Sequence, residues 1–312
     1  MTSLNDNNPN LVALRNVPYK NSLFVQNKET QEIIAIGGLR LLAKYCPKTN
    51  KWIDLEELTL NETMLNGADT KFYGDNGLCI NPRTNSVYVF AGPCYGQMVL
   101  QYIIFDDSFE LEGKYFEIDN HGVDGCGARA IMEYDYKNCH IVGHKGHFKY
   151  NFKANKMELL HVLKDVLGVS NLYCHEMIMV NKSKLLLFGG SDGIESKEFG
   201  SIYEYGINNN KWETLATKMP YPMCSFAICA VVREQFLLFF DCSTANNGKI
   251  WIYDVQHQRF ISSKLNCSKN GYIGNFKAFM VYNEKNDRLT TFGYVRKQAM
   301  ECVWYRATFI PT

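Results

Sequence analysis

The chain has 312 residues, 46% apolar, 13% aromatic and 21% charged, with 33 Lys and Arg against 32 Asp and Glu for a formal charge of +1. So much apolar material excludes wholesale disorder. The balanced charge argues against nucleic-acid binding driven by general electrostatics, and only 8 prolines leave no room for long proline-rich linkers. The polar start Met1-Thr2-Ser3-Leu4-Asn5-Asp6 lacks the basic and apolar regions of a secretory signal, and no run approaches the ~18 uninterrupted apolar residues of a membrane span. The 11 cysteines are scattered without CxxC spacing, and beside the missing signal they read as reduced, buried cytosolic thiols.

Six apolar runs end in small or glycine residues: Ile33-Ile34-Ala35-Ile36-Gly37-Gly38, Val87 to Gly92, Cys139 to His144, Leu185 to Gly190, Phe236 to Asp241 and Leu289 to Tyr294. Their last members fall at 38, 92, 144, 190, 241 and 294, steps of 54, 52, 46, 51 and 53, the mark of an internal repeat. After each run an aromatic residue closes an alternating segment, and a large residue follows seven positions later across a polar turn. Tyr45 leads to Trp52, Tyr150 to Met157, Tyr205 to Trp212 and Tyr253 to Phe260, while Phe105 to Glu112 is a decayed version. Before each run lies a further strand and turn, as in Gly77-Leu78-Cys79-Ile80-Asn81-Pro82. Short alternating runs between Asn/Asp/Gly-rich turns are hairpins, so each unit reads as four strands, a to d. Helical periodicity is confined to Met157 to Val169, which suits a helical turn or two in a loop.

The Gly-Gly, Tyr and Trp markers resemble the kelch repeat over essentially the whole chain. The units with Gly37-Gly38/Tyr45/Trp52 and Gly189-Gly190/Tyr205/Trp212 match fully. The resemblance implies an all-β, six-bladed kelch-type β-propeller with four antiparallel strands per blade, one domain over 1–312. The sixth unit is short: after Cys302-Val303-Trp304-Tyr305 only seven residues remain. Leu11-Val12-Ala13-Leu14 looks like an outer strand, so the N-terminal segment is expected to complete the last blade and to tie both termini down. Tyr and Trp at the c–d turn are structural, bringing large flat surfaces between sheets.

Few constellations suggest chemistry. His140, His144 and His147, with Cys139 beside them, have the residue types of a zinc site, but His140 and His144 on one strand face would stand ~13 Å apart. Adjacent strand residues face opposite sides, so Cys174-His175 is no nucleophile–base pair. Cys126, in Asp124-Gly125-Cys126-Gly127, lacks a positioned base. Gly189-Gly190-Ser191-Asp192-Gly193 precedes a strand rather than the helix of a phosphate cradle. Kelch-like copper oxidases and sialic-acid epimerases exist, but they are usually exported, and the oxidase's copper ligands have no counterparts here. No catalytic residue, metal or cofactor is assigned.

Recognition is placed on the face that carries the b–c and d–a loops, which are longer and more varied than the Asn-rich turns opposite. The b–c candidates are Arg40, Tyr95, Lys145, Asp192, Tyr294 and Arg296; the d–a candidates are Asp75, Asp124, His175, Tyr221 and Asn275. The expected function is a non-catalytic, cytoplasmic, monomeric scaffold or adaptor that binds a protein partner, with no nucleic acid and no membrane involved. The repeats consume the chain, so no BTB or F-box region of a ubiquitin-ligase adaptor fits. The competing reading is an enzyme or small-molecule binder using the central channel.

Overall fold

The computed structural model describes residues 13–14, 23–38, 41–46, 49, 51–58, 77–90, 98–115, 117–118, 128–144, 146–192, 199–223, 226–231, 235–241, 249–266, 279–283, 288–292 and 302–306. They form a β-propeller arrangement of six hydrogen-bonded sheets. β1 (Ala13–Leu14) precedes the first sheet, made of β2 (Leu23–Gln26), β3 (Ile33–Gly38), β4 (Leu41–Cys46) and β5 (Lys51–Asp54). The second contains β6 (Glu56–Glu57), β7 (Gly77–Asn81), β8 (Ser86–Phe90), β9 (Met98–Ile104) and β10 (Ser108–Tyr115). The third holds β11 (Glu117–Ile118), β12 (Arg129–Met132), β13 (Asn138–Val142), β14 (Gly146–Asn151) and β15 (Lys156–Val162), after which comes the single described helix, α1 (Leu163–Leu167). The fourth is β16 (Glu176–Val180), β17 (Lys184–Phe188), β18 (Ser201–Gly206) and β19 (Lys211–Lys218), and the fifth β20 (Phe226–Val231), β21 (Phe236–Asp241), β22 (Lys249–Asp254) and β23 (Arg259–Asn266). In the sixth, β24 (Phe279–Asn283), β25 (Arg288–Phe292) and β26 (Cys302–Arg306) are joined by β1, with Ala13 opposite Val303 and Leu14 opposite Cys302.

Period-2 alternation assigns each sheet its two faces. Ile34 and Ile36 of β3 pack with Val87 and Val89 of β8, while Ile33 and Ala35 turn the other way, toward Val281 and Phe279 of the sixth sheet. Tyr88 and Phe90 meet Cys139 and Ile141 of the third sheet in the same manner. Further junctions join the fourth sheet to its neighbours, and β20 lies against β24 between the fifth and sixth. Each fully buried aliphatic side chain in these junctions contributes about 1.5–3 kcal/mol.

Two sheets depart from the expected four antiparallel strands. β6 leaves the first sheet and pairs in parallel with β10 of the second, and β11 leaves the second to pair in parallel with β15 of the third. α1 follows β15 and packs against β19 in the corresponding place. The chain therefore laps β6 and β11 over the edge of the next sheet, covering hydrogen-bonding groups that an open edge would expose. Of the segment with helical periodicity, Met157 to Val162 is strand and only Leu163–Leu167 is helix, ended by Gly168 at φ 69°.

Register corrects two repeat assignments. Tyr45, Tyr150, Tyr205 and Tyr253 stand opposite Ile33, Cys139, Leu185 and Leu237, and the residue in that place opposite Val87 is Tyr102, not Phe105. Tyr102 is fully buried while Phe105 is 42% exposed, and across the β9–β10 turn its ring meets Phe109. Tyr102 to Phe109 keeps the seven-residue spacing, but Tyr102 pairs with Leu111, which makes this hairpin two residues longer than the others. In the fifth unit the pairing of Leu237 with Tyr253 makes Cys242, not Asp241, the second small-residue position. The tyrosines are the deeply buried markers; Trp52 and Trp212 are half-buried.

Candidate interaction face and the buried histidines

The two faces of the ring are built differently. On the a–b/c–d face the longest connection is 27–32, and one backbone bond recurs. Ile104, Phe152, Ile207 and Val255 each donate an N–H to the carbonyl of Asn85, Lys137, Ser183 and Gln235, welding neighbouring turns at 2.9–3.1 Å. On the other face the described strands are separated by more residues, β6 from β7 by 58–76, β17 from β18 by 189–200 and β23 from β24 by 267–278. The b–c and d–a connections do share that face: Leu172 donates to the His144 carbonyl at 2.9 Å, Gly190 to the Met223 carbonyl at 2.8 Å, and Tyr173 and Ser191 exchange two bonds at 2.9 Å. Gly189 and Gly190 adopt φ 59° and 99°, and a Cβ on Gly190 would stand 2.8 Å from both Leu172 Cδ1 and the Tyr173 carbonyl oxygen. Only glycine admits that conformation and that approach.

Of the eleven candidate contacts, Arg40, Tyr95, Lys145, Tyr294, Arg296, Asp75, Asp124 and Asn275 lie outside the described residues, as does Cys126. Asp192 is half-buried beside the Tyr173–Ser191 bridge. Tyr221 is half-buried too; its hydroxyl accepts the Trp251 indole N–H at 3.3 Å, with the rings edge-on at 6.0 Å. His175 corrects the expectation of a rim contact. It is wholly buried, and its Nε2 donates to the Val142 carbonyl at 3.1 Å. The space that Gly190 leaves above its Cβ lets the imidazole tuck beneath the loop instead of standing on it.

The histidines expected as a possible zinc set divide. His140 and His147 come together diagonally across the β13–β14 hairpin, Nδ1 to Nε2 at 2.9 Å, where His140 stands opposite Lys149 and His147 opposite Val142. They bond each other rather than an ion. The outer nitrogens are taken by Glu133, 2.9 Å from His140 Nε2, and by the Trp212 indole, which donates to His147 Nδ1 at 3.2 Å. His144 turns away to Tyr173, its Nε2 2.7 Å from the hydroxyl and the rings 4.5 Å apart. Among the described residues, no three His, Cys, Asp or Glu side chains are placed to hold a metal ion. Burial first, then the positive neighbours, pushes His147 well below the ordinary histidine range, and the hydrogen bond from His140 holds the Glu133 carboxyl below its own. Glu133, His161 and Trp212 join this group from other strands, so no local spacing announced them.

Cys79 and Cys139 lie buried with sulfurs 3.5 Å apart, and burial pushes the Cys139 thiol up, away from the reactive thiolate. At the inner strands Arg129 binds Glu176 bidentately, Nε to Oε2 at 3.0 Å and Nη2 to Oε1 at 2.7 Å, linking the third sheet to the fourth. Among the described residues no helix is long and apolar enough to cross a membrane.

No family model matches the chain, and no curated protein matches it. Solved structures do share its fold. YjhT superposes with a TM-score of 0.52 at 13% identity, over 70% of this chain and 72% of that one. The extracellular domain of a protein described as a one-component system, from B. thetaiotaomicron, gives a TM-score of 0.52 at 11% identity, over 93% of this chain and 34% of that one. Identities this low speak for the propeller fold alone.

Proposed function

We propose that the chain is a six-bladed kelch-type propeller, one domain, that works as a non-catalytic, monomeric, cytoplasmic protein-interaction module. Each of the six sheets serves as a blade, and the partner docks on the b–c/d–a face. The observation that carries this reading is the asymmetry of the two faces. One is welded by a repeated turn-to-turn backbone bond, and on the other the described strands are separated by up to nineteen residues, 58–76. Long, varied loops on a rigid ring are the usual setting for recognition. Among the inner-strand residues, Arg129 and Glu176 are engaged with each other, which favours docking over chemistry in the channel.

Three immobilised proteins test it on cell extract: wild type, a rim variant with Arg40, Tyr95, Tyr294 and Arg296 changed to Ala, and a control with exposed Lys28 and Lys153 of the opposite face changed to Ala. Wild type and control should recover the same proteins and the rim variant should lose them. Equal recovery by all three would overturn the reading.

A further inference from the structure

Five of the chain's 7 histidines (His140, His144, His147, His161 and His175) gather where the third sheet meets the fourth. Four of them bond across it: His144 to Tyr173, His147 to Trp212, His161 to Asn210 and His175 to the Val142 carbonyl. Two other sheets put apolar side chains at the same register. Where the third sheet has His140 and His147, the first has Ile34 and Leu42, and the fourth has Leu186 and Ile202, all buried.

Hydrogen-bonding rules fix every proton in the central pair. An indole N–H only donates, so His147 Nδ1 must present its lone pair to Trp212. The neutral ring then carries its proton on Nε2, which donates to His140 Nδ1. His140 in turn is protonated on Nε2, facing the Glu133 carboxylate, which only accepts. The chain Trp212, His147, His140, Glu133 thus runs in one direction with no freedom left. A further proton on His147 Nδ1 would set two N–H groups against each other. One on His140 Nδ1 would face the Nε2–H of His147, and shifting that proton across the ring meets the indole again.

We infer that this junction is an acid-sensitive joint: it cannot take up a proton without breaking the hydrogen-bonded chain that runs from Glu133 of one sheet to Trp212 of the next. The surrounding groups lean the same way. Lys149 of β14 and His161 of β15, whose ring stacks 5.8 Å from His147, oppose positive charge there, and Tyr205 of β18 presents its ring edge-on at 4.4 Å. Glu158 of β15 lies 3.5 Å from the Lys149 ammonium, and Glu133 is the one carboxylate bonded to the pair. In the unfolded chain His147 titrates near ~6.5, so below that pH the unfolded state binds more protons and native stability falls; above it the contribution is complete. Glu133, held low by His140, loses its contribution in the same direction at still lower pH. The joint ends on the loop face at His144 and Tyr173, whose tilted rings lie 4.5 Å apart, so its loosening reaches the rim.

The test compares denaturant unfolding of the wild type with His140→Leu/His147→Ile, which copies Leu186 and Ile202 of the next sheet. Between pH 6 and pH 5 the wild-type unfolding constant should rise at least about tenfold more than that of the double variant, the equivalent of one excluded proton. Identical pH dependence in the two proteins would overturn the inference. A second readout needs no variant: imidazole nitrogen NMR of the wild type at pH 5.5 should show the His147 ring neutral and protonated on Nε2. An imidazolium, or a ring protonated on Nδ1, at that position would overturn it equally.

Discussion

The junction between the first and second sheets and that between the third and fourth use one backbone plan and opposite chemistry. In the former, Ile34, Ile36, Leu42, Val87, Val89 and Leu100 interlock without a polar side-chain atom among them. In the latter the corresponding strand positions carry His140 and His147, satisfied only in one arrangement of protons. Apolar cohesion is non-directional and indifferent to pH, whereas a buried polar chain is either complete or costly. The repeat fixes where side chains stand; the residue chosen decides whether a junction merely coheres or also responds.

The largest effect should come from opening the ring that both junctions need. Deleting residues 1–15 removes β1 from the edge of β26 and should lower the melting temperature by many degrees in a thermal scan; an unchanged curve would mean the sixth sheet stands without it. Next, Leu100→Ala in the apolar junction should cost about 2–5 kcal/mol in denaturant unfolding, equally at pH 7 and pH 5. Tyr205→Ala, which removes a fully buried ring, should cost about 3–5 kcal/mol. Trp212→Phe takes away a single donor and leaves His147 Nδ1 unmatched, so a loss of about 1–3 kcal/mol at pH 7 is expected, shrinking toward pH 5 as the opposing N–H no longer stands in the way.

The smallest change is a gain. Tyr150 and Tyr205 each donate to the Asn five residues on, Asn155 or Asn210, which closes its turn at φ 51° or 54°. Tyr253 has Gln258 there, at φ 48°, and its buried hydroxyl has no partner among the described residues. Gln258→Asn should supply both the bond and a residue more at ease in the left-handed region, adding about 1 kcal/mol and a few degrees to the melting temperature.

Alternation and turn chemistry made the hairpins, the glycine-ended strands and the tyrosine positions legible before any coordinates. The pairing of residues 13–14 with β26 was legible as well, because Leu11 to Leu14 repeats the outer-strand pattern that ends near Tyr221. Two aromatic residues three positions apart, Tyr102 and Phe105, competed for one marker position, and only the register shows that Tyr102 holds it. Spacing said nothing of β6 and β11, two residues each, whose parallel pairing depends on the neighbouring sheet rather than on their own composition. His175 looked like a loop residue because the cavity that receives it is made by a glycine fifteen positions away. The His140–His147 pair was visible as a cluster, but its meaning lay in Glu133, His161 and Trp212, which only the hairpins and the next sheet bring close.

Hydrogen exchange at pH 7 and pH 5, corrected for intrinsic rates, puts the contrast between junctions to the most direct test. Peptides covering 140–147 and 172–191 should lose protection on acidification while those covering 87–104 keep theirs. Equal loss at both junctions, or none at either, would contradict the account.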